Sequence, residues 1–219
     1  MQARGQGSEP SKRSARTQMP ATDDEIREKY LERAIRELNR LTHDLQECDL
    51  CPRGSLMPVL GSGHPQADIM LLKHAPSTAE VEEGVAFYGR SGTALMKSFK
   101  RLSIDPLAVY GTLCIKCPVS DPALAAEECV SRLEEEIAIV GPRIIVAMGL
   151  PALATLNDLE LPLAQALEPR VGEVQSLTPT IDALYVPDID DSLDDQDAKQ
   201  AFWRAFRALG DWYADLPPY

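Results

Sequence analysis

Apolar positions along the chain follow two spacings. Ile26, Tyr30, Ala34, Leu38, Leu41 and Leu45 recur every three or four residues, the period of one helix face. Thr22 precedes this run with Glu25 three positions on, the pattern of a capping box. Together they predict a helix that ends just before Cys48. Four short runs behave differently: 67–73, 108–116, 143–149 and 181–187 are almost continuously apolar, as in strands buried on both faces. Helical spacing returns between them at 93–102, 125–140 and 151–156. Residues 170–177 read as a hairpin or edge strand. A final helix starts near Ser192 and carries Phe202, Trp203, Phe206, Leu209 and Tyr213 as a core stripe. Strands alternating with helices predict an α/β chain, a three-layer α/β/α sandwich around a central four-stranded, mostly parallel sheet. One domain is expected over 22–219. In such sheets ligands bind beyond the carboxyl ends of the strands, here residues 73–77, 114–118, 149–152 and 186–190.

Composition adds limits to this frame. The 219 residues are 44% hydrophobic and 26% charged, with a net charge of −12. No apolar run approaches the ~20 residues that span a bilayer, so no membrane partner is expected. The N-terminus lacks the apolar stretch of a secretory signal. The expected location is the cytoplasm, where thiols stay reduced. A net negative chain is a poor start for gripping nucleic acid. Residues 1–21 depart from this, with Arg4, Lys12, Arg13 and Arg16 against Glu9. They read as a disordered basic arm, solvated or touching nucleic acid.

The five cysteines fall into two clusters. Cys48-x-x-Cys51 puts two thiols on one tight turn, and Cys117 and Cys129 flank the start of a predicted helix. Four thiolates suit a [4Fe–4S] cluster or a structural zinc. Only one of the two symmetric knuckles of a zinc ribbon is present. Cys114 lies inside an apolar run and reads as a small buried hydrophobe.

Further motifs follow in order from about residue 44 to 213. Ala75 and Pro76 follow the first apolar run, residues 84–92 carry Gly84, Phe87, Gly89 and Gly92, and residues 110–117 carry Tyr110, Thr112, Lys116 and Cys117. Residues 142–149 are an apolar strand ending in glycine. In kind and order these motifs resemble those of the iron–sulfur uracil-DNA glycosylases of families 4 and 5. The resemblance implies a DNA-repair fold for base excision. It also implies a [4Fe–4S] cluster on Cys48, Cys51, Cys117 and Cys129, with zinc as the runner-up.

The same resemblance makes this a divergent member with degenerate active-site motifs. Its base pocket would fall on Lys73, Ala75, Pro76, Phe87, Leu113 and Val186. Phe87 keeps the stacking aromatic, or is simply core. His74 replaces the family's Glu and Lys73 its preceding Gly. Leu113 replaces the Asn that reads uracil, and Val186 falls where the loop His stands. His74 is the one candidate catalytic residue, as a general base or a covalent trap, against a plain hydrogen-bonded histidine. Lys73 reads as a solvated lysine or a phosphate contact. Residues 188–197 hold six aspartates, which would repel a phosphate backbone. Ser192 would cap the last helix, with Asp194 and Asp195 at its positive end. A calcium loop lacks its glycine and terminal Glu. Two functions follow. One is a DNA-repair-related glycosylase-like protein with altered or lost uracil excision, a hydrolase with non-standard residues if active. The other is a pseudoenzyme whose acidic surface binds a protein partner.

Overall fold

The computed structural model describes residues 22–125 and 128–217; the basic arm lies outside them. Helix α1, Asp23–Gln46, opens as its capping box dictates: the Thr22 N–H donates to Glu25 and the Glu25 N–H to the Thr22 hydroxyl. Its first turns leave Ile26 and Tyr30 exposed, whereas Ala34, Leu41 and Leu45 are buried.

The four apolar runs become β2 (Ile69–Lys73), β3 (Val109–Leu113), β4 (Ile144–Met148) and β6 (Ile181–Val186), all mutually parallel where they pair. The sheet nevertheless has six strands, not four. Two-residue β1 (Ser62–Gly63) pairs antiparallel with β3, and β5 (Val174–Thr178) antiparallel with β6. β5 is the edge strand expected over 170–177. β1 is too short to carry an apolar pattern. The order is β1-β3-β2-β4-β6-β5. The chain leaves β2 first toward β3 and later returns to its other side with β4, so the reversal that opens a crevice stands at β2.

Alternation divides the core. Ile69, Leu71, Leu113, Val146 and Val186 face one layer, built from α3 (Arg90–Leu102) and α6 (Gln196–Ala214). Met70, Leu72, Ile145 and Ala147 face α4 (Glu128–Val140) and α5 (Leu150–Asp158), with Leu38 of α1 packed beside them. Short α2, Thr78–Glu83, follows β2. The last helix is capped by Asp195, whose carboxylate accepts from the Ala198 N–H at 2.6 Å. Ser192 instead sits in the 3-10 turn Asp191–Leu193, its hydroxyl donating to the Ile189 carbonyl. No helix among the described residues is long and apolar enough to cross a membrane.

Phe206 joins the α3/α6 layer to itself. It is fully buried, with its ring 4.9 Å from Phe202 and 6.0 Å from Phe99. Phe206→Ala should cost about 3–5 kcal/mol of unfolding free energy in urea denaturation.

Candidate functional site

The parallel register puts Lys73 opposite Leu113 on one side and Met148 on the other, with Met148 opposite Val186. These four residues form one row across the carboxyl end of the sheet. Leu113 and Val186 have 0% exposure and Lys73 1%. Lys73 is therefore not solvated, contrary to its sequence reading. Its Nζ donates to Glu80 Oε2 and Asp190 Oδ2, both at 2.6 Å. Burial works against the ammonium, but the two carboxylates outweigh it and hold its pKa above the ordinary lysine value. It stays charged and is not a nucleophile.

Glu80 is the hub of this group. Besides Lys73, Oε2 accepts from the Ser77 N–H and Oε1 from the Phe87 N–H, each at 2.6 Å. One carboxylate thus ties β2, the loop after it and the glycine-rich loop. Phe87 needs that anchor, because its φ of 59° lies in the left-handed region that side chains avoid. Its ring lies against Gly111, where an added Cβ would come within 2.5 Å, and its carbonyl lies 2.0 Å from a Cβ added at Gly92. Both glycines are required by this one phenylalanine. The Lys73 ammonium stands 5.8 Å from the centre of the same ring. A cleft of about 600 Å³ opens beside Phe87, lined also by Leu71, Met96 and Gly111, but not by Lys73, Leu113 or Val186.

His74, one residue on from Lys73, turns to the other face. Its Nδ1 lies 3.5 Å from the Thr155 hydroxyl of α5. Burial lowers its pKa, which leaves a neutral imidazole at pH 7. Ala75 and Pro76 are half-buried in the loop that follows.

Four of the six aspartates of 188–197 have partners within the chain. Asp190 holds Lys73, and Asp188 Oδ1 accepts from the Asp190 N–H at 2.8 Å. Asp194 pairs with Arg90 at 2.6 Å, and Asp195 caps α6. Desolvation raises the Asp188 pKa.

On the α4 side a second buried ion pair mirrors the first. Lys116 Nζ lies 2.7 Å from Glu136 Oε2 and donates to the Leu113 carbonyl. Glu136 also accepts from the Tyr110 and Thr112 hydroxyls at 2.6 and 2.7 Å. Burial and this carboxylate raise the Tyr110 pKa far above its usual value.

Next to Lys116, three of the four expected cysteine ligands converge. The sulfurs of Cys51, Cys117 and Cys129 all lie within 4.8 Å of one another, buried, with Cys51 and Cys129 at 3.4 Å. Cys48 is half-buried at the end of α1 and outside that group. Cys117 is held below the ordinary thiol value and Cys129 pushed above it, first through the hydrogen bond they share. No disulfide forms. Three convergent soft donors fit a thiolate-bound metal centre. A further observation agrees: Arg53 Nε is buried with no hydrogen-bond partner among the described residues, although its Nη2 donates to the Cys48 and Gln46 carbonyls. Such an N–H suits an anionic group. Cys114 has 0% exposure and burial pushes its thiol up to about 12, so it is the inert hydrophobe expected.

The profile of the Uracil DNA glycosylase superfamily matches residues 60–207. The chain belongs to that superfamily. Relatives within it include the Type-4 uracil-DNA glycosylase of Pyrobaculum aerophilum, 31% identical over 131 residues, 56% of this chain and 66% of the relative. That of Sulfurisphaera tokodaii is 31% identical over 124 residues, 51% of this chain and 54% of the relative. That of Archaeoglobus fulgidus is 26% identical over 150 residues, 64% and 75%. For the first two the match spans less than two thirds of the relative's length. These similarities identify a divergent, family 4/5-like member of the uracil-DNA glycosylase superfamily.

Sequence reading missed Glu80 and Asp190. The spacing Ser77 to Glu80 repeats that of Thr22 to Glu25 and was the available signal for the first; nothing local marked the second. Lys73→Met leaves Glu80 buried without its cation and should cost about 3–5 kcal/mol in urea denaturation. The double variant Lys73→Met/Glu80→Gln should recover part of that loss.

Proposed function

We propose that this chain is a DNA-repair-related member of the superfamily that meets DNA but has lost uracil excision by the route of its namesake relatives. One observation carries the reading: of the expected base pocket, Lys73, Leu113 and Val186 are buried in the sheet end and shut off from the cleft beside Phe87, with Lys73 locked between Glu80 and Asp190. A flipped base needs an open pocket and partners for its polar edge. Leu113 and Val186 supply no hydrogen bond, and loss of a single stabilising donor costs ~3 kcal/mol. His74 faces Thr155, away from Phe87, which favours a structural over a catalytic role. The reading as an acidic protein-docking module is weaker, since Asp188, Asp190, Asp194 and Asp195 already serve the fold.

Cys51, Cys117 and Cys129, with Cys48 swung in as the fourth ligand, would hold a [4Fe–4S] cluster, zinc being the runner-up. When bound, such a group would cross-link the segment after α1, the segment after β3 and α4. The domain is taken as residues 22–219, working in the cytoplasm.

Excision is tested by incubating the protein with oligonucleotides carrying uracil, hypoxanthine or xanthine, followed by alkaline cleavage. No abasic product above background is expected. Product from the parent that disappears in His74→Ala would overturn the proposal. The metal centre is tested separately on anaerobically purified protein. Iron and acid-labile sulfide should be present, and each should drop sharply in Cys117→Ser and Cys48→Ser. Zinc without sulfide would select the runner-up.

A further inference from the structure

We propose that Arg53 is a positioning residue of the metal centre: its Nε–H donates to a sulfur of the group held by the cysteines, and so retains that group. The proposal rests on the metal reading above and gives Arg53 a task that the cysteines do not perform. The guanidinium is fixed on backbone carbonyls. Nη2 donates to Cys48 at 2.8 Å and to Gln46 at 3.0 Å, and Nη1 donates to Leu56. One side chain thus ties the loop that carries Cys48 and Cys51 to the last turn of α1, an end that favours a cation. Nε is left over, buried and without a partner among the described residues. Leaving a buried donor unpaired is costly, so the site is built for an acceptor that the protein itself does not supply.

The main chain puts Arg53 where such an acceptor would lie. Its N–H donates back across Pro52 to the Cys51 carbonyl at 2.8 Å, as the Val119 N–H does across Pro118 to Cys117 at 2.9 Å. The fixed φ of proline suits the centre of a three-residue turn, so the two Cys-Pro-x segments fold alike. Val119 of the second packs against Cys51, Cys117 and Cys129. Arg53, its counterpart in the first, brings a donor and a charge. The Cys117 sulfur feels first its hydrogen bond with Cys129, and also the Arg53 guanidinium. Charge balance points the same way. A cluster with four thiolate ligands is a net anion, and in a chain of net charge −12 its burial calls for a cation beside it. Lys116 adjoins Cys117 but is committed to Glu136 and the Leu113 carbonyl. Among the described residues no carboxylate pairs with Arg53. Lysine would keep the charge but lacks the planar fork that holds carbonyls while a further N–H points elsewhere.

The test uses the full chain, purified anaerobically, as the parent, Arg53→Lys and Arg53→Met. Two quantities are read: the half-life of the visible absorbance of the centre against an excess of ferrous chelator, and its Fe–S stretching bands by resonance Raman in H2O and D2O. Removing a group that hydrogen-bonds a metal site costs about 10–100-fold in retention, so Arg53→Met should shorten the half-life at least tenfold. Its Fe–S bands should shift and lose part of their response to D2O. Arg53→Lys should keep more of the half-life, because it keeps the charge, and yet show the same loss in the bands. Bands identical to the parent's in both variants would overturn the proposal even with a shortened half-life, since Arg53 would then only tie the loop. An unchanged half-life in Arg53→Met would overturn it as well. If Arg53→Met takes up no iron, Arg53→Lys decides: parent-like bands would sink the proposal. A parent without iron and sulfide would end the iron–sulfur reading and this proposal together. A parent with both, and variants that match it, would end the proposal alone.

Discussion

The carboxyl end of the sheet is organised by one pair of charges, the Lys73 ammonium and the Glu80 carboxylate. Burying both is costly, and the cost is met only because every polar atom is used. Glu80 accepts from Lys73, Ser77 and Phe87; Lys73 reaches on to Asp190. Ion pairs of this kind seldom add net stability over apolar packing. What this one provides is geometry: it sets the left-handed Phe87, the loop between β2 and α2 and the loop after β6 relative to one another. The same pair fills the row at the carboxyl end of the sheet, between Leu113 and Met148.

Beneath the opposite face of the sheet, Lys116 and Glu136 repeat the device with Tyr110 and Thr112. Gly61 is confined by it, since an added Cβ would meet the Tyr110 hydroxyl at 2.3 Å and Glu136 at 2.6 Å. Lys116 immediately precedes Cys117. The network therefore fixes the strand end from which one of the three convergent sulfurs projects. The sheet separates two regions of different character: a sulfur-lined corner against α4, and the Lys73 row against α3 and α6.

How much of this was legible depended on range. The four parallel strands were readable because burial on both faces leaves a continuous apolar run. β1 was not, since two residues have no period. Cys114 was readable as core for the same reason as the strand it follows. Lys73 misled because a lysine ending an apolar run normally reaches water; its partners lie 7 and 117 residues away, beyond any local pattern. The density of aspartates over 188–197 looked like surface charge. Each of four proved to have a distinct task, set by the positions of Lys73, Arg90 and the start of α6. The sequence comparison singled out Phe87 and Gly92 but gave no sign of Gly111, whose missing Cβ leaves room for the Phe87 ring.

The separation of Lys73 from Asp190 by 117 residues also bears on how the chain assembles. Parallel strands form late, because each pairing must first close a long crossover. A nascent polypeptide that has emerged only as far as α5 already contains β2, β3 and β4, yet it holds Lys73 with one carboxylate instead of two. Completion of the second contact waits for β6 and the turn behind it. Docking of the C-terminal segment is thereby coupled to neutralising an interior charge.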